Sequence, residues 1–391
     1  MPRSKSDSSL TRHEIDAFKF PLGVYPVEEL APKPGYTLDF EAGDGDESDG
    51  DWEEWPDRYV FDAVLSAERV PALVRTILAL MPNKVYPILD ILGHDAFREI
   101  DPYVSYELVG LDRLVEAIRQ VPDFFFEDGL CGFGAMSQEP FIYFFVDEHK
   151  IVTIRAEAPL REKIEKVLAA FDLEHREDAA GVDAAAHEHR TILVAPDTEA
   201  HLMSFDEIVE QLHDDWRLVL NIDPETNVDE EGKELGVCAW WCRVRVSLPQ
   251  NAKDSPHDPA GSTDSPESGP PSHRRPTRAL PPAAHDGPKG EEVEKEESQD
   301  DDPPPPPWEP RYIEVLLTAE NLREAEDTAV ESALKLAGPE ADVEGLPPPV
   351  AVFTDRLTPE QLEESLTKVG KKKIPKGPMV PGRVLSARWL R

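Results

Sequence analysis

Cysteine is scarce in this sequence, and long apolar runs are missing. The chain has three cysteines in 391 residues (Cys131, Cys238 and Cys242), an odd number that is too small for a disulfide framework. The first residues, MPRSKSDSSLTRHEIDAF, lack the apolar segment of a signal peptide. The longest apolar runs, such as FIYFFV, are far shorter than the ~20 residues that span a bilayer. We therefore expect a soluble, reduced, cytoplasmic protein without a membrane partner.

Basic residues are also few, with 41 lysines and arginines against 79 aspartates and glutamates, for a net charge of −38. A field of this sign repels phosphate groups and disfavours nucleic-acid binding by the chain as a whole. The C-terminal segment is the exception, because residues 365–391 contain eight bases and no acid. The candidate partner contacts in this segment are Lys371, Lys372, Lys373, Arg388, Trp389 and Leu390. The alternative is that the segment folds back onto the protein's own acids.

Familiar catalytic and cofactor motifs are absent. The sequence contains no hydrolase triad, nucleotide fingerprint, metal-binding box or paired-carboxylate motif, so we expect no cofactor. Its most suggestive loop, EDGLCGFG, has three closely spaced glycines, Gly129, Gly132 and Gly134. A phosphate-binding loop needs a helix N-terminus directly behind it, and here an apolar strand follows instead. We therefore interpret the loop as a turn between buried aromatic strands, with one of its glycines at positive φ.

Cys131, inside this loop, is the candidate nucleophile of an enzymatic alternative. A catalytic thiol needs a base nearby, and His149 is the candidate base. Glu127 and Asp128 are the acids next to Cys131 in the sequence, and they complete the candidate site. This alternative requires the fold to bring His149 beside Cys131.

Two further patterns have residue types that bind metals. His187 and His189 in HEHR lie on one side of an extended chain, and they are the candidate metal ligands. Because their surroundings are typical of a linker, we interpret them as a solvated pair. Cys238 and Cys242 in CAWWC share one face of a predicted strand, ~13 Å apart. That distance is too long for a disulfide or a single zinc ion, so we interpret both cysteines as core residues.

The apolar periodicity predicts an α+β fold with two mixed α/β-sandwich domains in β-α-β-β order, a ferredoxin-like arrangement being one option. FIYFFV and KIVTIRAE flank four polar residues, which predicts a hairpin, and Ser204 with Glu207 predicts the capped start of a helix. From composition we expect a disordered acidic segment at 1–57, a first domain at 58–178, a linker at 179–189, a second domain in two parts at 190–249 and 308–357, a disordered proline-rich insertion at 250–307, and a helix followed by a basic tail at 358–391.

These observations favour a non-enzymatic interaction or adaptor protein, whose protein partners bind its two domains and its linear segments. Two alternatives stay open. One is an enzyme with a site assembled near Cys131 and His149. The other is an RNA- or ribosome-associated protein that uses the basic C-terminal segment.

Overall fold

The computed structural model describes residues 2–43, 55–196, 198–249, 308–341, 343, 345–370 and 379–390. The strands are β1 (Glu14–Ile15), β2 (Phe18–Lys19), β3 (Val24–Pro26), β4 (Gly35–Glu41), β5 (Arg58–Val64), β6 (Lys84–Leu92), β7 (Ile100–Val104), β8 (Val109–Gly110), β9 (Cys131–Gln138), β10 (Phe141–Val146), β11 (Val152–Ala156), β12 (His187–His189), β13 (Val219–Leu220), β14 (Cys238–Pro249), β15 (Trp308–Ala319), β16 (Val350–Leu357) and β17 (Arg383–Trp389). The helices are α1 (Val70–Leu78), α2 (Leu111–Gln120), α3 (Pro122–Phe126), α4 (Arg161–Ala170), α5 (Phe205–Trp216), α6 (Leu322–Ala337) and α7 (Pro359–Lys368). In these ranges no helix is both long and apolar enough to cross a membrane.

A large antiparallel sheet forms the first part of the structure, with the strand order β13-β7-β6-β9-β10-β11-β5-β4 and with β8 paired to β6. Helices pack on the face where alternate residues such as Val85, Leu89 and Ile91 of β6 are buried. The predicted hairpin is confirmed, since β10 pairs with β11 from Ile142–Ala156 to Val146–Val152. The fold is therefore of the mixed α+β class that the periodicity predicts.

The glycine-rich loop is not a turn between two strands. Gly129 lies in a turn that follows helix α3, whereas Gly132 and Gly134 lie inside strand β9. None of the three glycines has a positive φ, so that part of the prediction was wrong. The glycines are needed for close approach instead. A Cβ atom at Gly132 would lie 2.8 Å from Cζ of Phe145, and one at Gly129 would overlap the main-chain carbonyl of Gly23. Neighbouring aromatic side chains and main chain therefore occupy the space of the missing side chains.

The N-terminal residues differ from the expectation of a disordered segment at 1–57. Strand β4 pairs with β5 along its whole length and extends the large sheet. Phe18, Phe20 and Val24 are buried against Val64 and Val182 in a small core of their own. The acidic composition suggested disorder, but these apolar side chains find partners that lie far along the chain. Residues 44–54, which contain most of the acidic run, lie outside the described residues.

Residues 190–220 were predicted to belong to the second domain, but they pack in the core of the large sheet instead. The capping box at Ser204 and Glu207 is present and starts α5 as predicted. Ile208, Leu212 and Trp216 of that helix are buried in the core of the large sheet. Strand β13 then pairs with β7, which adds an edge strand to the same sheet.

The second sheet is antiparallel, with the order β16-β14-β15-β17. Its chain order is β-β-α-β-α-β, whereas the sequence predicts β-α-β-β. Strands β14 and β15 pair over their full length, from Cys238–Ala319 to Pro249–Trp308. The predicted insertion at 250–307 lies between these strands and outside the described residues. Cys238 and Cys242 are buried beside α6, which confirms their interpretation as core residues.

The opposite face of the second sheet contacts the first part of the structure. Arg243 on β14 forms ion pairs with Asp206 at 2.9 Å and Glu210 at 3.0 Å, both on α5. Phe353 of β16 is buried in the core of the large sheet. Part of the expected C-terminal tail also joins this sheet, because β17 (Arg383–Trp389) pairs with β15. The predicted helix before it is α7.

Candidate metal centre

Three histidines from two separate segments converge on the surface of the first sheet. His149 lies in the turn between β10 and β11, while His187 and His189 lie on β12. The Nε2 atoms of His149 and His187 are 2.9 Å apart. One ring nitrogen from each of the three side chains lies within 4.8 Å of the other two, and all three residues are partly buried. The sequence named the pair on β12 as metal candidates but interpreted them as solvated residues in a linker at 179–189. The structure differs, because both are partly buried on a strand that pairs with β3, and the fold adds a third histidine.

The local structure holds these side chains in place. Successive alternate residues of a strand point to the same side, so His187 and His189 project together from β12. Strand β12 is held by pairing with β3. In the turn that carries His149, the Asp147 carboxylate accepts a hydrogen bond from the Ile151 amide at 2.7 Å. The buried Lys150 ammonium donates to the carbonyl of Cys131 at 2.6 Å and ties the turn to β9.

Each imidazole has an oxygen acceptor at its Nδ1 atom. For His149 it is the Asp147 carboxylate at 3.1 Å, for His187 the Ala185 carbonyl at 2.7 Å, and for His189 the Gly129 carbonyl at 2.9 Å. A carboxylate or carbonyl oxygen only accepts, so each Nδ1 carries a proton. That tautomer leaves the Nε2 lone pair for a metal ion, which is the arrangement common around metal-binding histidines.

The electrostatics differ between the three imidazoles. Burial lowers the pKa of His189. Burial also acts to lower the pKa of His149, but the hydrogen bond and charge of Asp147 outweigh it, so this pKa is raised. Because His187 carries its proton on Nδ1, the short contact between the two Nε2 atoms requires a proton on His149 Nε2 as long as no ion is bound. A metal ion would displace this proton and leave three neutral imidazole donors.

The donor set fits a transition-metal ion with an exchangeable position. Neutral imidazole suits zinc, copper, iron and nickel, and zinc centres with three protein ligands keep a fourth position for water or substrate. Across the described ranges, no carboxylate or thiol joins the three imidazoles within 4.8 Å. Glu148 groups with Asp147 and His149 instead, 3.5 Å from His149 Nδ1. A carboxylate there would add negative charge beside a cation held by the three imidazoles.

The structure does not bring Cys131 and His149 together as nucleophile and base. The Cys131 side chain is fully buried, and its Sγ atom contacts the carbonyl of Gly132 at 3.6 Å. Burial raises the pKa of this thiol well above its ordinary range, which keeps it protonated. Among the described residues, the polar and ring contacts of His149 are with Asp147, Glu148, His187 and His189.

The two acids next to Cys131 hold neighbouring segments of the chain. Glu127 accepts from the Arg12 guanidinium at 2.7 Å and from the Leu22 amide at 3.1 Å. Asp128 is fully buried and accepts from the Thr191 hydroxyl and the Ile192 amide, each at 2.8 Å. Burial raises the pKa of Asp128, and these hydrogen bonds oppose the shift. Both side chains therefore anchor segments that flank the histidine cluster.

The candidate partner contacts at the C-terminal end are partly described. Arg388 forms an ion pair with Glu314, the Trp389 side chain is partly exposed, and the Leu390 amide donates to the Tyr312 carbonyl at 2.9 Å. Lys371, Lys372 and Lys373 lie outside the described residues.

Sequence reasoning did not join His149 to the pair on β12. The available signal was a histidine next to two acids in a predicted hairpin turn, DEH, together with HEH further along the chain.

Comparison of the chain with protein-family models, with curated proteins and with solved structures found no significant match.

Proposed function

We propose that this protein binds a divalent transition-metal ion, zinc by ligand preference, through His149, His187 and His189. The observation that carries the proposal is the convergence of three imidazoles, each of which donates a hydrogen bond from its Nδ1 atom to an oxygen. This second layer of hydrogen bonds orients the ligands before the metal arrives and lowers the cost of binding. Three neutral nitrogen donors with an open position make the ion a Lewis acid toward water or substrate.

The proposal retains one part of the enzymatic alternative and changes another. His149 serves as a metal ligand rather than as the base for a thiol. Cys131 is not needed, because a bound ion acidifies water and can supply the nucleophile that a protonated, buried thiol cannot.

Cobalt(II) and zinc titrations of the chelator-treated, dialysed full chain test the proposal. We expect a single equivalent of cobalt to give the visible absorption of a low-symmetry site, and zinc to displace it. His189→Gln should bind zinc at least about tenfold more weakly, since one of three ligands is lost. His201→Gln is the matched control, because His201 is exposed and lies outside the cluster. Equal zinc affinity of His189→Gln and wild type would overturn the proposal.

A second measurement tests the open position. Small anions such as azide should change the cobalt spectrum if water occupies the fourth position. An unchanged spectrum at high azide concentration would indicate a closed, structural centre instead.

One observation favours the interaction function as a second candidate. Strand β17 lies at the edge of the second sheet, and its residues Val384 and Trp389 are 40% and 37% exposed. Exposed strand edges accept an extended peptide by main-chain pairing. Arg383, which is exposed on β17, favours an acidic peptide as the partner. We propose this edge as the interaction site of an adaptor function.

Quantitative capture from the native cell extract tests the second candidate. Trp389→Ala should lose partners that Val350→Ala keeps, because Val350 is a similarly exposed residue at the opposite edge strand, β16. Identical partner sets for both variants would contradict an interaction at β17. Partners that disappear after ribonuclease treatment would support the RNA-associated alternative instead.

A further inference from the structure

A second candidate site lies far from the histidines in sequence, on the face of the second sheet that contacts the first part of the structure. A cavity of about 300 Å³ opens there between β14, β16 and helix α7. Its lining includes Trp241, Glu314, Asp355, Ser365, Lys368 and Arg388. The volume is at the lower end of the ~300–1,000 Å³ typical of small-molecule sites.

The unusual member of this lining is Asp355. It is only 5% exposed, and within the described part of the chain no hydrogen bond or ion pair reaches its carboxyl group, whose oxygens face the cavity rather than being fully enclosed. Trp241 lies directly opposite Asp355 across the β14–β16 pairing, so both side chains stand on the same face of the sheet. A carboxylate at such a position is unfavourable without a partner, so the group either takes up a proton or pairs with a cation.

The neighbouring cations form their ion pairs with other acids and not with Asp355, although Arg98 Nη2 and Arg243 Nε have no hydrogen-bond partner among the described residues. Arg98 pairs with Asp101, and Arg243 pairs with Glu210 on helix α5. Burial and the negative charges of nearby acids raise the pKa of Asp355 well above its ordinary value. A positively charged group inside the cavity would supply the missing partner.

The rest of the lining fits a small organic cation. The Trp241 indole forms one wall, and its Nε1 atom donates to Glu314 at 2.8 Å, which fixes the ring. Aromatic faces attract organic cations. At the rim, Lys368 pairs with Glu364 at 2.9 Å and Arg388 pairs with Glu314, so these charges are matched. Asp355 is the acid that these rim pairs leave without a counterion.

We propose that this cavity binds a small organic cation, such as a primary ammonium or guanidinium compound, whose charged group pairs with Asp355 and whose apolar part lies against Trp241. The site is independent of the metal centre. None of the cavity residues belongs to the histidine cluster, so either proposal can fail without the other.

The test uses n-butylammonium as the probe, with 1-butanol as a neutral analogue and butyrate as an anionic one. Binding to the full chain is followed by the NMR signal of the Trp241 indole N–H group, assigned through its loss in Trp241→Phe. The salt concentration is held near 0.15 M, where the nonspecific attraction of cations to this acidic protein is screened. We expect a saturable shift with n-butylammonium that 1-butanol and butyrate do not produce.

Two variants make the test specific. Asp355→Asn should weaken n-butylammonium binding about tenfold or more, because the amide removes the charge but keeps the shape. Ser365→Phe should also abolish binding, since it fills the cavity from α7 while leaving Asp355 in place. If Asp355→Asn does not fold cooperatively, the binding of n-butylammonium to Ser365→Phe tests the proposal. The proposal is overturned if wild type shows no saturable shift, if a folded variant binds as well as wild type, or if 1-butanol binds equally well.

Discussion

Asp95 and Arg356 form a buried ion pair although 261 residues separate them in the sequence. The carboxylate accepts from Arg356 Nε at 3.0 Å and lies 2.9 Å from Nη2, and the two side chains are 0% and 5% exposed. Asp95 also accepts from the main-chain amide of Arg356 at 2.8 Å. The pair joins the loop after β6 to strand β16, and so connects the two sheets.

Removing one partner of this pair should be costly. We expect Asp95→Ala to lower the free energy of unfolding by ~3–5 kcal/mol, because it leaves the Arg356 charge buried without its carboxylate. The double variant Asp95→Leu with Arg356→Leu should lose less. Arg311→Ala is the control, since its pair with Glu309 is exposed and worth ~0–1 kcal/mol. Urea unfolding measures all of these, and an Asp95→Ala cost no larger than that of the control would contradict the prediction.

Asp147 should tune the metal centre without binding the ion. Its carboxylate orients His149 and increases the basicity of the imidazole. We expect Asp147→Asn to weaken zinc affinity by about tenfold, at the lower end of the ~10–100-fold usual for such partners, because the amide oxygen still accepts the hydrogen bond. Competition with a chromophoric chelator measures the affinity, with Asp178→Asn as an exposed control. The same zinc affinity in Asp147→Asn and wild type would show that Asp147 does not act on the centre.

Gly129 should tolerate no side chain. A Cβ atom there would overlap the Gly23 carbonyl, and this clash between two main-chain segments cannot be relieved by a side-chain rotation. We expect Gly129→Ala to destabilise the fold by about 3 kcal/mol or more, at the upper end for single substitutions. Gly232→Ala, where φ is +78° but the space is open, should cost about 1 kcal/mol. Thermal and urea unfolding compare the two, and equal costs would refute the close-approach explanation.

His213 should make stability depend on pH. Burial lowers its pKa from 6.5 to about 4, and its Nε2 atom is buried without a hydrogen-bond partner among the described residues. Between these two pKa values the unfolded chain binds a proton that the folded chain does not, so stability falls as the pH falls. From pH 7 to pH 5 this one group should remove about 2 kcal/mol.

The comparison with His213→Phe isolates this contribution. Other groups act in the opposite direction, because burial raises the pKa of Asp90 to about 7. The difference in unfolding free energy between wild type and His213→Phe should therefore change by about 2 kcal/mol between pH 7 and pH 5. A difference that is constant over this range would mean that His213 titrates normally in the folded protein.

The segment between β14 and β15 should be dispensable for folding. Pro249 and Trp308 pair directly, so the two ends of residues 250–307 are adjacent in the sheet. Replacing these residues with Asn-Gly, which suits a two-residue hairpin, should leave the melting temperature almost unchanged. A fall of more than ~8 °C, equivalent to over 1 kcal/mol in a domain of this size, would indicate that the segment stabilises the fold.

Local patterns predicted individual elements well. The capping box at Ser204 and Glu207 starts α5, and the four polar residues from Asp147 to Lys150 connect β10 to β11. The alternation around Cys238 and Cys242 identified a strand with a buried face. These features depend on residues close together in sequence, where caps, turns and side-chain periodicity act directly.

The sequence did not predict which elements lie next to each other in space. Composition suggested disorder at 1–57, but β4 becomes an edge strand of the large sheet and β3 pairs with β12. Helix α5 packs in the first core although it follows a stretch that is typical of a linker. Each of these outcomes depends on apolar surface contributed by distant segments, which no local window contains.

By itself, the sequence determined the α+β class, the hairpin of β10 and β11, the cap of α5 and the candidate ligands His187 and His189. Only the tertiary structure decided that His149 joins them, because 38 residues separate His149 from His187 and their contact requires β12 to pair with β3 beside the turn. It also decided that Asp355 lines a cavity in which no described residue forms an ion pair with it. Helices, turns and caps depend on residues that are close in sequence, so short patterns predict them. A site depends on contacts between distant segments, which close loops of many residues, and no short pattern encodes such contacts.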